Sequence, residues 1–233
     1  MDNAGRARQR VLALFLPIAA VLYISAEALS PKGTDQVATD TATALKLLAI
    51  AAEHPTQLYV AGTCAVLGLG ALAVSYAAIA ALARNRGAAL ATVAALIGGI
   101  GAFCGAIIEV LVFPNLAAAA TAHTTRGAAA QFLVTTFNSG FGHGFEYAYF
   151  IGIYVAPLLM GVALWRSRAV PRWLAVLFFV GLEVAQQQIS SGPVIILYML
   201  PFAAAMILLA ARIWQAAALP ASRPQPESAS VPA

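Results

Sequence analysis

The stretch AALATVAALIGGIGAFCGAIIEVLVF, residues 88–113, decides the fold class, because Glu109 is its only charged residue. A helix needs about 20 mostly apolar residues to cross the hydrocarbon core of a bilayer, and this run is longer. Gly98, Gly101 and Gly105 lie near one face of the predicted helix, where small residues allow a neighbouring helix to approach closely. The stretch therefore predicts a membrane-spanning helix packed against others.

The rest of the chain has the same character. Hydrophobic residues make up 61% of the 233 residues, and charged residues only 9%. Soluble domains usually carry about 25% charged residues, so this chain cannot cover itself with a water-facing surface. The net charge of +4 does not indicate nucleic acid as a partner, since the basic residues stand in short clusters between apolar runs. Together with residues 88–113, the predicted spans are residues 11–29, 58–82, 144–165, 173–189 and 194–214.

The basic clusters predict the orientation of the bundle. Ten of the 13 Lys and Arg residues fall before the first span, at or after the end of the last, or in the loops that join spans two to three and four to five. The positive-inside rule then places both termini in the cytoplasm. We expect an all-α membrane protein in the cell membrane, with a bundle of about six transmembrane helices in residues 1–218 and a disordered cytoplasmic tail in residues 219–233.

Two long loops are predicted on the outer side, at residues 30–57 and 114–142. The first contains the apolar segment 44–49, which is typical of a helix lying in the membrane interface. The second contains the apolar segment 128–137, which is too short to span and is predicted to be a re-entrant or surface segment.

Acidic residues within the spans are the first candidates for a site, because a carboxylate in a bilayer is costly and is therefore a functional-site candidate by default. Burial disfavours the charged form, so neutral carboxylic acids are expected here. The four acids within or at the ends of the predicted spans, Glu27, Glu109, Glu146 and Glu183, all lie in the predicted outer half of the bundle. This placement indicates one polar chamber above an apolar plug rather than a conduction pathway. The predicted catalytic residues are Glu183, Glu109, Glu146, Glu27 and His143, with Glu183 or Glu109 as proton donor. For Glu27 and Glu109, snorkelling to the interface is an equally ordinary explanation.

Aromatic residues are concentrated between Phe132 and Tyr154. His143, Glu146, Tyr147, Phe150 and Tyr154 recur at intervals of three and four residues, so they share a face of the fourth span. Gly140, Gly142 and Gly144 interleave the aromatics and allow the backbone to bend. An aromatic belt at the interface is the alternative explanation. The predicted substrate-binding residues are Tyr147, Phe150, Tyr154, Phe141, Gln186, Gln187 and Tyr198.

No cofactor is predicted. His54, His123 and His143 are too few and too loop-bound for a haem held by two histidines. A metal at His143, Glu146 and Glu183 is the weaker alternative to a hydrogen-bonded polar cluster, because a His and a Glu three residues apart are common without a metal.

Three segments carry a resemblance to a widespread family of small bacterial membrane proteins: AEALSPKG (residues 26–33), AEHP (residues 52–55) and RSRAVPRW (residues 166–173). Within that type, the chain is similar to the membrane-integral terpene cyclases of bacterial pathways to drimentine-like prenylated indole alkaloids. The resemblance implies a helical membrane enzyme in which an intramembrane acid protonates a prenyl chain. It carries no catalytic residue over, because no diagnostic cyclase motif aligns.

The leading hypothesis is therefore a membrane-embedded terpene cyclase acting on a lipophilic prenylated substrate, without a cofactor. The main alternative is a small transporter or lipid-binding protein that uses the same chamber, with the carboxylates as proton-coupling groups. A third is an accessory subunit whose acids pair with a partner. Substrate, oligomeric state and the identity of the proton-donating acid stay open at this level.

Overall fold

A computed structural model of the chain describes residues 3–34, 38–83, 85–121, 125–186 and 194–218. Within these ranges all regular structure is helical, with no strand. The α-helices are α1 (Asn3–Leu29), α2 (Thr41–Glu53), α3 (Pro55–Ala80), α4 (Ala88–Thr121), α5 (Arg126–Phe137), α6 (Gly140–Ser167), α7 (Arg172–Gln186) and α8 (Ile195–Ala218). The predicted tail, residues 219–233, lies outside the described ranges.

Five of the described helices are long and apolar enough to cross a bilayer: α1, α3, α4, α6 and α8. Each corresponds to one predicted span, to within two residues at the ends of α3 and α8, and the chain is a multi-pass all-α membrane protein. The predicted fifth span corresponds to α7, whose 15 described residues measure about 22 Å at helical rise, short of the hydrocarbon core. The remainder of that predicted span, residues 187–189, lies outside the described ranges.

Six helices form a closed ring. Each helix contacts the next in the order α1, α3, α4, α6, α7 and α8, and α8 in turn contacts α1. The centre of this ring is filled by large buried side chains, so the bundle core is solid rather than a pore. They include Leu16, Leu69, Tyr76, Met160, Leu164, Phe178, Phe202 and Leu209.

The two segments predicted in the outer loops are both helical. Helices α2 and α5 pack on each other and on α4, which has 34 residues and at about 51 Å is longer than the hydrocarbon core is thick. Their shared core is a second cluster of buried residues, separate from the bundle core: Ala38, Ala44, Leu47, Leu48, Ala51, Leu58, Leu116, Ala117, Ala129, Ala130 and Leu133. We call α2, α5 and the part of α4 around Leu116 and Ala117 the cap.

The glycine-rich start of α6 is helical rather than bent. The Ser139 hydroxyl accepts a hydrogen bond from the Gly142 backbone N–H and caps the helix, and Gly140, Gly142 and Gly144 all lie inside the first turns. Gly142 is required by a close approach, because a Cβ there would lie 2.8 Å from the Thr136 carbonyl oxygen at the end of α5. This glycine serves the tight α5–α6 corner.

Candidate functional site

Two of the predicted acids converge where α1 and α4 approach the cap. Glu27 and Glu109 are both partly buried and are close enough to repel each other electrostatically. Two tyrosines complete the group: Tyr23, one turn before Glu27 on α1, and Tyr149 on α6, whose hydroxyls are joined by a hydrogen bond. We call Tyr23, Glu27, Glu109 and Tyr149 the acid–tyrosine cluster.

Small residues on α4 direct the tyrosine of α6 inward. A Cβ at Gly105 would lie 2.6 Å from the Tyr149 ring, so the ring occupies the space that a larger residue would take. One turn lower, a Cβ at Gly101 would lie 2.3 Å from the Cα of Gly152, so the α4 and α6 backbones touch. Glu109 follows Gly105 by four residues and lies on the same face of α4. The close crossing of two helices therefore brings Tyr149 to the acids.

Glu183 lies on another helix, near Tyr76, and is not among the groups that act on Glu109. It is partly buried on α7 and interacts electrostatically with Tyr76. Tyr76 is 2% exposed, its ring fills the space over Gly98, and its hydroxyl makes no hydrogen bond to any residue that the structure describes. Tyr76 also interacts electrostatically with Tyr149. A buried hydroxyl without a partner is costly, which marks this position as a second polar point below the cluster.

The other face predicted for substrate binding is on the outside of the bundle. We call His143, Glu146, Tyr147, Phe150 and Tyr154 the α6 aromatic face. The predicted spacing is present: His143 Nδ1 lies 3.5 Å from a Glu146 carboxylate oxygen, and the Phe150 and Tyr154 rings stack with centroids 6.2 Å apart. Tyr147 is 66% exposed, and Phe150 and Tyr154 are also exposed. The structure therefore does not bring this face together with Glu27 and Glu109.

Two members of that face border the cluster: the Phe150 ring lies 5.9 Å from the Tyr149 ring, centroid to centroid, and Tyr154 interacts electrostatically with Tyr149. Phe141, another predicted substrate-binding residue, is 63% exposed and packs edge-on against Phe145. Tyr198 on α8 is exposed as well. Gln186 closes the described part of α7, and Gln187 lies outside the described ranges.

In the described part of the chain, no three His, Cys, Asp or Glu side chains form a group suited to a metal ion, so nothing there supports the metal hypothesis. His143 and Glu146 are neighbours on α6, whereas Glu183 lies on α7 and interacts electrostatically with Tyr76 on α3.

Three residues of the interior were missed from the sequence: Tyr23, Tyr149 and Tyr76. A tyrosine in an apolar helix is ambiguous by itself, because an interfacial belt is its commonest explanation. A usable signal existed in the spacing. Tyr23 precedes Glu27 by one helical turn, so a hydroxyl lies on the same face of the helix as that acid. Gly105 precedes Glu109 by one turn, so the face that carries Glu109 has room for a side chain from another helix.

The fold and this site define the class: a multi-pass helical membrane protein with carboxyl and phenol groups gathered inside an apolar bundle. The chain belongs to the family described as "Domain of unknown function (DUF4386)", whose profile matches residues 11–215. No curated protein and no solved structure matches the chain.

Proposed function

We propose that the acid–tyrosine cluster is a proton-donating site and that the protein is a cofactor-independent membrane cyclase acting on a lipophilic prenylated substrate. The observation that carries the proposal is the convergence of Glu27 and Glu109 with two hydroxyls in apolar surroundings. Two neighbouring carboxyl groups tend to hold one proton between them, because two negative charges close together repel each other and ionising both groups is unfavourable. The pair then contains one acid and one base.

The chemistry balances without a further reactant. The protonated carboxyl of the pair gives its proton to the terminal alkene of a prenyl chain, forming a C–H bond and a carbocation. The next alkene supplies the electron pair that closes a C–C bond. The resulting cation loses a proton to the carboxylate, which returns the site to its starting state. The product is an isomer of the substrate.

Aromatic rings near the cluster suit a cationic intermediate, because ring faces attract cations. Tyr23 and Tyr149 contribute the nearest rings, and Phe202 packs edge-on against Tyr23 with centroids 6.4 Å apart. The solid apolar core below the cluster keeps water from quenching the cation. The exposed α6 aromatic face gives a lipophilic substrate a surface to reach from the bilayer, next to Tyr154.

We also propose that α7 is a sixth, short span and that both termini are cytoplasmic, in the cell membrane. The closed ring of contacts and the arginine-rich ends support this topology. In a background with Cys64 and Cys104 replaced by Ala, an impermeant thiol reagent should label R86C only from the cytoplasm and R126C only from outside. Labelling of both positions from one side would exclude this arrangement.

A small proton-coupled transporter or lipid-binding protein is the second candidate. One observation favours it: Tyr147 and Phe150 face the surroundings of the bundle rather than its interior, as suits residues that hold a lipid. Such a protein would return its ligand unchanged.

The experiment that separates the two is turnover. Purified protein is incubated with prenylated indole substrates, and chromatography with mass spectrometry detects an isomer of equal mass and shifted retention. E53Q is a matched control, because Glu53 is an exposed acid on α2. An isomer made by the wild type and by E53Q, but not by E109Q, supports the cyclase. Binding of the substrate without any isomer favours the second candidate.

A further inference from the structure

A groove opens on the outside of the bundle at the end away from the cap. It has a volume of about 310 Å³ and lies between α6 and α7. Its walls are apolar, and Gly161 and Ala175 form its floor, where small side chains leave the space open. The lining residues are Leu158, Gly161, Val162, Trp165, Ala175, Val176 and Phe179.

Three arginines stand at one end of this groove. The guanidinium carbon of Arg172 lies 5.0 Å from the centroid of the Trp165 ring, which is itself part of the groove wall. Arg166 follows Val162 by one helical turn, so it continues the same face of α6. Arg168 lies in the connecting loop, and all three are exposed. The cation–π contact with Trp165 holds Arg172 at the mouth of the groove.

The positive charge at this mouth has no acidic partner in the part of the chain that the structure describes. Among the residues that the structure describes, no acidic side chain forms an ion pair with Arg166, Arg168 or Arg172. The loop and the flanking turns contain no acid either. An apolar groove that ends in exposed arginines at a membrane surface fits a phospholipid with a negatively charged headgroup. The groove suits an acyl chain, and the arginines suit the headgroup.

We infer that the α6–α7 groove is a binding site for one anionic phospholipid, with an acyl chain against Gly161 and Ala175 and the phosphate on Arg166 and Arg172. This inference is independent of the proposed function, because the groove lies on the opposite end of the bundle from the acid–tyrosine cluster. Arginine suits the role, since its planar guanidinium binds phosphate oxygens in pairs and Trp165 already orients one of them.

Trp165 provides an internal probe. In W173F/W214F protein it is the only tryptophan, and bromine atoms on an acyl chain in the groove quench its fluorescence. The protein is reconstituted in membranes with a fixed ratio of phosphatidylglycerol to phosphatidylcholine, and only the identity of the brominated lipid is changed. The surface charge is thereby constant. We expect stronger quenching by brominated phosphatidylglycerol than by brominated phosphatidylcholine, after scaling to their mole fractions.

The preference for phosphatidylglycerol should fall about fivefold for each arginine removed, in R166Q and in R172Q. Arg86 is the matched control: it is exposed, and its neighbour Gly87 contacts α6 at Ala163 and Ser167 instead of lining the groove. R86Q should keep the full preference. V162F, which fills the groove from its exposed side, should reduce quenching by both lipids.

Three outcomes would overturn the inference. The first is equal quenching by the two brominated lipids in the wild type. The second is a preference that R86Q lowers as much as R166Q, which indicates general surface charge. The third is loss of the preference on adding inorganic phosphate at the ionic strength of a chloride control, which indicates a site for a free anion. Because turnover is not measured here, failure of the cyclase proposal does not affect the result.

Discussion

The acid–tyrosine cluster and the α6 aromatic face share a few turns of α6, but the cluster takes only Tyr149 from them, and the aromatic face lies on the outside of the bundle. Tyr149 is directed at the acids of α1 and α4, whereas Tyr147 two residues earlier is 66% exposed. The difference lies in the neighbouring helix: Gly105 of α4 leaves room for the Tyr149 ring, whereas none of the described helices covers the exposed side of α6 at Tyr147. Helical spacing groups residues on a face, but the small residues of the adjoining helix decide which face is interior.

The largest expected effect separates the two regions by their acids. E109Q keeps size and hydrogen bonding but has no transferable proton, so turnover should fall by about two to four orders of magnitude, as for loss of a general acid. E146Q changes an acid of the α6 aromatic face and should retain most activity. The measurement is the rate of isomer formation by each purified variant. A larger loss in E146Q than in E109Q would show that the exposed face carries the chemistry.

A smaller effect is expected from Tyr149 and Tyr154. Y149L removes a ring and a hydroxyl from the cluster, and losing about 1.4 kcal/mol of transition-state stabilisation slows turnover roughly tenfold. Y154L should be milder, because Tyr154 is exposed and only borders the cluster. Y149F, which keeps the ring, should fall between Y149L and the wild type. Equal rates for Y149L and Y154L would remove the distinction between the inward and the outward face.

The crossing that creates the distinction can be tested by stability. G101A places a methyl group against the Gly152 backbone and should destabilise the protein by about 1–3 kcal/mol through overpacking. G99A is the matched control, since a Cβ at Gly99 meets nothing within 4 Å, and Ala favours the helix by up to about 1 kcal/mol. Thermal unfolding in detergent compares the two. An unfolding temperature that falls equally in both would contradict the close α4–α6 contact.

The smallest effect concerns the cap, which borders the cluster. Asp40 accepts hydrogen bonds from the Thr43 backbone N–H at 2.8 Å and from the Thr43 hydroxyl at 2.9 Å, and these bonds hold the pKa of the Asp40 carboxyl below its usual value. Because the folded pKa is lowered, the stabilisation is present above the unfolded pKa of about 3.9 and is lost as the pH falls through the folded pKa.

D40A should therefore speed amide hydrogen exchange at the start of α2 near neutral pH, and the difference from wild type should shrink in acid. T43V keeps the backbone hydrogen bond to Asp40 and loses the hydroxyl hydrogen bond, so its amide exchange rate should lie between those of D40A and the wild type. A difference that grows on acidification would contradict this cap.

Much of the fold follows from the sequence, because long apolar runs have few other solutions. The spans in α1, α3, α4, α6 and α8 were predicted, and the short apolar segments 44–49 and 128–137 lie within α2 and α5. The α7 span is different, since its described part is too short to decide by length. Its status as a sixth span stays a prediction.

The candidate site was predictable only in part. Glu27 and Glu109 were identified by the cost of an intramembrane acid, and their proximity depends on how α1 and α4 both pack on α3. Tyr149 was passed over because its position between Tyr147 and Phe150 gave no indication that it faces inward. That direction depends on a contact between residues far apart in the chain, Gly105 with Tyr149, which no local pattern reports.

Proton transfer from the cluster to the substrate is the central claim, and solvent deuterium tests it most directly. In D₂O the exchangeable proton of the Glu27–Glu109 pair is replaced, so each product formed by alkene protonation should contain one deuterium and be one mass unit heavier than the product made in H₂O. Wild-type protein should give this product, and E109Q should give almost none. An isomer formed without deuterium, or one formed at the same rate by E109Q, would contradict proton donation by these acids.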